Sequence, residues 1–492
     1  MIFPILLLYV VFRLPFLTRL PIFNDEAIYL EWGWHELHTP GALYFSLFDG
    51  KQPLLMWIFG FIQRFPFDPL LLGRFISVIF GACTALGIYK IAQKYFSENT
   101  ATVAVLLYIL IPLFSFFDRQ ALMESAVAAI GVWSLYFTLQ TMSEKKYVNP
   151  LILGVLWGIG FFIKSSSIFF VFSSLFLFAV LFFQKQKSTK KQHILFSVFL
   201  SLLISQLILF PLYLQPDFSI IFSRNDRFSL SVLELLHFPL LIWGKHFLET
   251  LDILFWHFTP LVTLFSLLGF ITVKKQKDQN KSFILSWVLL GLTLFVFTVR
   301  TPSPRYLVSF LPLLCIFCAE GLLFFQRKLK VTGLIVMIFT LFLPFAIILL
   351  QLISPIHYFS VLEKVSSFSH KEFYIEGWTS GYGVQEAVAY LNAQAKDQQI
   401  RVWTRGDWGN PETSMFIYLR RNPNISLSFF NQENMQRLFQ PRAKNWKDVP
   451  TYFVSRDENL VGLEHFSKLE RKFFKPGEKN FIGIYRLQTF CF

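Results

Sequence analysis

Charged residues are scarce in this sequence. They make up 15% of its 492 residues, whereas hydrophobic residues make up 54%. A single soluble core cannot bury so much apolar side chain, so the composition excludes an ordinary soluble protein and indicates an integral membrane protein. Cysteine is also rare, with four residues in all. Two of them, Cys315 and Cys318, form a CxxC pair inside an apolar run, which argues against a disulfide framework and favours packing roles.

The N-terminus has neither the basic start nor the small-residue cleavage site of a secretory signal. Its sequence, MIFPILLLYVVFRLPFLTRL, is therefore expected to stay in place as a first membrane span. The net charge of +14 comes from lysines and arginines in short clusters between apolar runs. This placement fits the positive-inside rule and excludes a nucleic-acid partner.

Apolar runs of about 20 residues are long enough to cross a bilayer. We predict about eleven spans, at residues 1–20, 69–92, 100–117, 122–142, 149–164, 166–183, 194–214, 256–273, 283–299, 305–325 and 331–353. Threading them alternately from a cytoplasmic N-terminus places every basic cluster on the inner side, provided that the chain breaks near Lys164 and Ser165. The predicted location is the plasma membrane.

The remaining residues divide into outer loops and a tail. Residues 1–353 are predicted to form a membrane domain whose first outer loop, 21–68, carries unusual polar residues. Residues 354–492 alternate strand-like runs such as IRVWT and FIGIYRL with helix-like runs such as VQEAVAYLNAQA. The tail is therefore predicted to be a small extracytoplasmic α/β domain. The sequence shows no internal repeat, which weighs against a secondary transporter.

Two adjacent carboxylates, Asp25 and Glu26, follow the first span in the stretch PIFNDEAIYLEWGWHEL. The predicted topology places them at the outer mouth of the helices. An alternative interpretation is a plain helix start, with Asn24 as the N-cap and the acids complementing the helix dipole.

Several cations and one more acid lie near the same face. Lys51 precedes a short apolar helix in FDGKQPLLMWIFG, Glu124 lies just inside a span, and Lys164 lies between two apolar runs. Ionisable groups at such positions are costly and usually face a cavity or a partner. Lys51 could instead be an ordinary snorkelling lysine, and Glu124 with Lys164 could be a structural ion pair.

Arg300, Arg305 and Tyr306 return to this face in VRTPSPRYLVSFLP. An arginine fork grips phosphate at two points and a tyrosine hydroxyl adds a hydrogen bond, although an arginine here could also be a topological anchor. Together these groups suit transfer from a lipid phosphate, in which a carboxylate takes a proton and cations hold the leaving phosphate. The histidines of the outer loops do not have metal-ligand spacing, so no zinc site is predicted: His35, His38, His237, His246 and His257.

With these residues in place, the sequence from about 20 to 325 resembles the GT-C glycosyltransferases that use polyprenyl-phosphate sugars. That group contains the family 39 protein O-mannosyltransferases and the lipid A aminoarabinose transferase. NDEAIYLEWGWHEL resembles its Asp-Glu motif and GKQPLLMWIFG its Lys-Pro-Pro-Leu segment. LLGRFISVIFGACTALGIYKIAQKYF, DRQALMES, GIGFFIKSSSIFF and SPRYLVSFLP are similar to its later motifs, in the same order.

The resemblance implies a role for each site residue. Asp25 would be the catalytic base, with Glu26 orienting it, and Lys51, Arg305 and Tyr306 would hold the donor phosphate. Glu124 would line the sugar or acceptor pocket, and Lys164 would also face the phosphate. Gln52 and Gly50 depart from the usual proline and acidic residue, which affects the details of head-group binding.

The resemblance also implies an inverting reaction that needs one base. The expected partners are a polyprenyl-phosphate sugar, membrane lipids and a lipid, glycan or protein acceptor. The resemblance does not imply a particular cofactor, and metal dependence stays open because an adjacent acidic pair can hold a divalent cation. Three other functions remain open: a surface polysaccharide polymerase or ligase, a sugar-lipid flippase or transporter, and a non-enzymatic anchor.

Overall fold

A computed structural model of the chain describes residues 2–184, 188–406, 409–430, 449–456 and 467–487. Cys491 lies outside these residues. The first part of the chain is helical, and its helices up to the end of the predicted span at 194–214 are α1 (Ile2–Arg13), α2 (Asn24–His38), α3 (Leu54–Ile62), α4 (Pro69–Tyr95), α5 (Glu98–Leu110), α6 (Pro112–Phe117), α7 (Glu124–Ser143), α8 (Val148–Ile163), α9 (Ile168–Phe183) and α10 (Ser188–Tyr213).

The helices continue through the second half of the membrane part and into the tail. They are α11 (Ile220–Asn225), α12 (Val232–Leu236), α13 (Leu240–Trp256), α14 (Pro260–Gln276), α15 (Gln279–Thr298), α16 (Pro304–Leu307), α17 (Leu314–Ile353), α18 (Pro355–Leu362), α19 (Val384–Gln394) and α20 (Glu412–Leu419). The chain is therefore mainly helical, in agreement with the predicted polytopic helical membrane protein.

Fewer helices than eleven are long and apolar enough to cross a membrane. In the described part of the chain there are five: α4, α9 with the turn before it, α10, α15 and α17. A sixth is obtained if α13 and α14, which meet at 110°, form one broken span. Several predicted spans correspond to shorter apolar helices, such as α1, α5 and α8. The fold class is confirmed in this coarser form, and the number eleven stays a prediction.

The longest helix, α17, contains a sharp break. Lys330 has φ 45° and ψ −108°, values that no α-helix contains. A Cβ added to Gly333 would lie 2.4 Å from the Cα of Gln326, whereas residues seven positions apart in a straight helix are separated by about 10 Å. The chain therefore folds back at Lys330, between the two predicted spans 305–325 and 331–353.

The first outer loop is a compact helical hairpin. α2 and α3 approach closely at Gly33 and Gly60: a Cβ on Gly60 would lie 2.0 Å from the carbonyl oxygen of Gly33. A short 3-10 helix, Phe45–Asp49, connects them and leads directly to Lys51. This close contact holds α2 against α3, and Asp25 lies in the first turn of α2.

The tail contains the predicted small α/β domain. Its five described strands are β1 (Ile400–Arg405), β2 (Ile425–Phe430), β3 (Thr451–Ser455), β4 (Ser467–Phe474) and β5 (Phe481–Leu487). They form one sheet in the order β2-β1-β3-β5-β4, in which β1 is parallel to both neighbours and β5 is antiparallel to both of its own. Val402, at the centre of β1, lies opposite Leu427 and Tyr452. The small C-terminal sheet is confirmed, whereas the domain bounds 354–492 and the extracytoplasmic location stay predictions.

This domain packs directly on the start of α2. The backbone N–H of Asn24 donates to the carbonyl oxygen of Thr379 at 3.0 Å. A Cβ on Gly381 would lie 2.1 Å from the carbonyl oxygen of Ile22. The buried ammonium of Lys475, in the β4–β5 hairpin, donates to three carbonyl oxygens in residues 377–380. The domain therefore holds the same backbone that presents Asp25.

Candidate functional site

A cavity of about 260 Å³ lies where α2, the junction of α8 and α9, and α16 meet. Five of the seven predicted site residues line it: Asp25, Lys51, Lys164, Arg305 and Tyr306. They come from four separate parts of the sequence. The structure therefore brings together most of the groups that the sequence predicted to share one site.

Arg305 is the centre of the charged groups. Its Nη1 lies 2.5 Å from Asp25 Oδ2, its Nε lies 2.7 Å from Glu124 Oε1, and its Nη2 donates to the hydroxyl of Tyr29 at 3.3 Å. Ser303 caps α16 by accepting a hydrogen bond from the backbone N–H of Arg305. The planar guanidinium fork thus joins two carboxylates, and its side chain is only 15% exposed.

Lys164 and Glu124 form the ion pair that the sequence analysis left open. Lys164 Nζ lies 2.8 Å from Glu124 Oε1 and 5.4 Å from the ring centre of Tyr306. Lys164 is extended at the end of α8, and a 3-10 turn, Ser165–Ser167, follows it, so the chain breaks where it was predicted to break. Glu124 begins α7 and is buried behind Arg305 and Lys164. It contacts the cationic groups of the cavity and is not part of the cavity surface.

Lys51 is a cation with no ion-pair partner within the described residues. Its Nζ lies 4.8 Å from the ring centre of Phe228. Gly50 precedes it with φ 73°, and a Cβ there would lie 2.8 Å from the Cβ of Arg224, so the turn requires glycine. Burial lowers the pKa of Lys51, and the nearby charge of Lys164 lowers it further. An anion entering the cavity would relieve both effects.

Asp25 and Glu26 face different surroundings although they are adjacent. Glu26 is fully buried and forms a two-point contact with Arg74, at 2.8 Å to Nε and 2.6 Å to Nη2. It also accepts hydrogen bonds from the backbone N–H groups of Phe23 and Ala121. Glu26 thereby connects α2 to α4 and to the start of α7, and it does not line the cavity. Its predicted role beside the base stays a prediction.

The helix start differs slightly from the alternative interpretation in the sequence analysis. The N-cap is Phe23, and Asn24 is the first residue of α2. Asp25 and Glu26 pair with different arginines, Arg305 and Arg74, and a divalent cation at this acidic pair stays a prediction. The described residues also contain no group of three or more histidine, cysteine, aspartate or glutamate side chains that could hold a metal ion.

Two residues near Asp25 were not predicted as part of the site. The side-chain Nδ2 of Asn24 donates to Asp25 Oδ1 at 3.4 Å, and Tyr29 binds Arg305. Tyr29 lies one helical turn after Asp25, so its i+4 spacing could have identified it. Arg300, in contrast, pairs with Glu234 at 2.7 Å and does not line the cavity.

Comparison with known proteins supports these observations. The family model described as dolichyl-phosphate-mannose-protein mannosyltransferase matches residues 50–210. The structure of ArnT from Cupriavidus metallidurans bound to undecaprenyl phosphate superposes with a TM-score of 0.64, at 13% identity, over 98% of this chain and 97% of that one. The chain has the GT-C fold. The predicted resemblance to the GT-C group is therefore confirmed.

A second GT-C protein is similar over most of the chain. The oligosaccharyltransferase from Archaeoglobus fulgidus in its apo form superposes with a TM-score of 0.55, at 13% identity, over 92% of this chain and 69% of that one. No curated protein matches the sequence. At these identities the structural similarity establishes the GT-C fold alone.

Proposed function

We propose that this chain is an integral membrane glycosyltransferase that moves a single sugar from a polyprenyl-phosphate donor to an acceptor hydroxyl, with inversion, on the extracytoplasmic face. The observation that carries the proposal is the cavity, in which one carboxylate, Asp25, faces the three cations Lys51, Lys164 and Arg305. The GT-C fold and the match to the mannosyltransferase family model support the same reaction class.

Asp25 is the proposed general base. Its carboxylate is 31% exposed, so an acceptor hydroxyl can reach it from the cavity. In the transfer step the carboxylate takes the hydroxyl proton while the acceptor oxygen bonds to the anomeric carbon of the sugar. The bond between that carbon and the phosphate oxygen breaks, and its electron pair leaves with the polyprenyl phosphate. One base and one stabilised leaving group complete the reaction.

The leaving phosphate needs positive charge, and Lys51 is the proposed first contact because no described carboxylate pairs with it. Arg305 is proposed to add to this site. The two terminal nitrogens of a guanidinium carry four N–H groups. In Arg305 one of them contacts Asp25 and one contacts Tyr29, which leaves two for a phosphate. Tyr306 and Lys164 complete the proposed phosphate site. Preorganised cations of this kind stabilise charge that develops during the reaction.

The test is sugar transfer by the full-length protein reconstituted in lipid vesicles, with labelled polyprenyl-phosphate sugars as donors. Asp25→Asn keeps the shape of the side chain and removes its basicity. We expect transfer to fall by about a hundredfold or more, the usual contribution of a general base, while the thermal midpoint and donor binding stay near wild type.

Asp49→Asn is the matched control. Asp49 lies in the same outer loop, pairs with Arg224 at 3.4 Å and does not line the cavity, so its variant should transfer normally. Near wild-type transfer by Asp25→Asn would remove Asp25 as the base. Absence of transfer by the wild-type protein with every polyprenyl-phosphate sugar tested would overturn the proposed reaction.

A further inference from the structure

The charges around the cavity leave little room for another cation. Lys51, Lys164 and Arg305 contribute three positive charges, and Asp25 with Glu124 behind it contributes two negative ones. Asp25 is the only carboxylate among the described residues of the cavity surface. Its Oδ2 is already bound by Arg305, and Glu124 Oε1 is shared by Arg305 and Lys164. The side chains around the cavity therefore carry about one net positive charge together.

A polyprenyl-phosphate sugar has a phosphodiester with one negative charge, which balances the cavity. An uncharged sugar keeps that balance. A sugar with an ammonium group would bring in one more positive charge, and burying an unpaired charge is costly. The remaining oxygen of Glu124 offers little relief, since an ammonium there would be the third cation around one carboxylate.

The cavity does offer neutral hydrogen-bonding groups. The cavity is lined by five such residues: Gln52, Ser165, Ser166, Asn225 and Ser309. Gln52 is 1% exposed, and its side-chain Nε2 has no hydrogen-bond partner among the residues that the structure describes. A buried donor without a partner is unfavourable, so a ligand oxygen that accepts from it would be bound selectively.

We infer that the donor sugar of this enzyme is uncharged and that Gln52 is a specificity-determining residue whose side-chain amide donates a hydrogen bond to an oxygen of that sugar. The inference rests on the proposed function. The neighbouring Lys51 supplies charge to the phosphate, and the neutral amide of Gln52 suits a hydroxyl or ring oxygen.

The experiment measures binding of three probes to the full-length protein in lipid nanodiscs. They are a polyprenyl phosphate alone, the same lipid phosphate carrying a neutral hexose, and the same lipid phosphate carrying an amino sugar. We expect the wild-type protein to bind the neutral conjugate at least about tenfold more tightly than the cationic one. Gln52→Leu should weaken the neutral conjugate about tenfold and leave the lipid phosphate alone unchanged.

Gln52→Glu is the complementary variant. It keeps the size of the side chain and adds a carboxylate, so it should shift the preference toward the amino sugar. Equal binding of both conjugates by the wild-type protein, or unchanged discrimination in Gln52→Leu and Gln52→Glu, would overturn the inference. Failure of all three probes to bind would instead count against the proposed function, so the two failures are distinguishable.

Discussion

The backbone N–H of Asn410 donates a hydrogen bond of 3.0 Å to the side-chain oxygen of Asn24, 386 positions earlier in the sequence. Because that oxygen accepts, the amide nitrogen of Asn24 is turned toward Asp25 Oδ1, to which it donates at 3.4 Å. Gly409 makes the approach possible: a Cβ there would lie 1.9 Å from the Asn24 oxygen, and its φ of 121° also favours glycine. The C-terminal domain thus orients the side chain next to the candidate base.

The first prediction concerns Asn24 as a positioning residue. Asn24→Asp keeps an oxygen for the Asn410 N–H but replaces the donor beside Asp25 with a second carboxylate, which repels it. We expect kcat for sugar transfer to fall about tenfold, equivalent to about 1.4 kcal/mol, with the donor KM near wild type. Initial rates over a range of donor concentrations measure both constants.

The control for this variant is Asn480→Ala. Asn480 belongs to the same domain, and its side chain donates to the carbonyl oxygen of Glu376 at 2.9 Å. It should leave kcat unchanged. An equal loss in both variants would indicate a general effect on the domain, and an unchanged kcat in Asn24→Asp would contradict the positioning role.

The second prediction separates the roles of two of the predicted phosphate ligands, Lys51 and Arg305. Lys51→Met removes a cation without an ion pair in the described structure, so we expect the donor KM to rise about tenfold and kcat to fall with it, because negative charge grows on the phosphate as it leaves. Arg305→Lys keeps the charge, but a lysine cannot bridge Asp25, Glu124 and Tyr29 at once, so we expect kcat to fall more than KM rises. Steady-state kinetics of the reconstituted protein decide between these patterns.

Lys245→Met provides the comparison for both variants. Lys245 is 74% exposed, pairs weakly with Glu249 at 3.7 Å and does not line the cavity. Its kinetics should match the wild type. A donor KM and a kcat that both match the wild type in Lys51→Met would contradict its assignment to the phosphate.

The third prediction distinguishes Glu26 from its neighbour. Glu26→Gln removes the charge opposite Arg74 in a fully buried pair. Breaking such a pair costs about 3–5 kcal/mol, so we expect a much lower thermal midpoint and less folded protein. Asp25→Asn should show neither effect. If Glu26→Gln has the thermal midpoint of the wild type but loses sugar transfer, the structural role is contradicted and Glu26 acts in the reaction.

The sequence identified the cationic side of the cavity because ionisable residues are conspicuous in apolar runs. Lys51, Lys164 and Arg305 each lie at the edge of such a run, and all three line the cavity. The break at Lys164 was also predictable, because without it the alternating spans would not place every basic cluster on the inner side. The turn at Lys330 was predictable because it lies in a basic segment between two apolar runs. In these cases the cost of burying charge leaves a local signal.

Other features depend on contacts that the sequence does not display. Adjacent residues of a helix point about 100° apart, so Asp25 and Glu26 could not both face one cavity, but the pattern alone did not tell which one would. The contact of Asn24 with Asn410 joins distant segments and has no sequence motif. Helix lengths also do not follow from the apolar runs alone, since the run at 100–117 is interrupted between α5 and α6.

A buried carboxylate of α2, Glu36, is joined by hydrogen bonds to the loop that carries Lys51. Glu36 of α2 is 3% exposed and accepts a hydrogen bond of 2.9 Å from the backbone N–H of Ser46. The carbonyl oxygen of Ser46 in turn accepts from the backbone N–H of Lys51 at 3.1 Å. Burial raises the pKa of Glu36 to about 8.

The fourth prediction follows from this raised pKa. A glutamate in an unfolded chain has a pKa of about 4.3, so between that value and about 8 the folded protein binds more protons and its stability falls as the pH rises. Glu36→Gln stays neutral and keeps an oxygen for the Ser46 N–H. We expect its thermal midpoint to exceed that of the wild type by an amount that grows from pH 5 to pH 8. Glu386→Gln, at an exposed position of α19, should show no such trend. A constant difference between Glu36→Gln and the wild type across this range would contradict a buried, protonated Glu36.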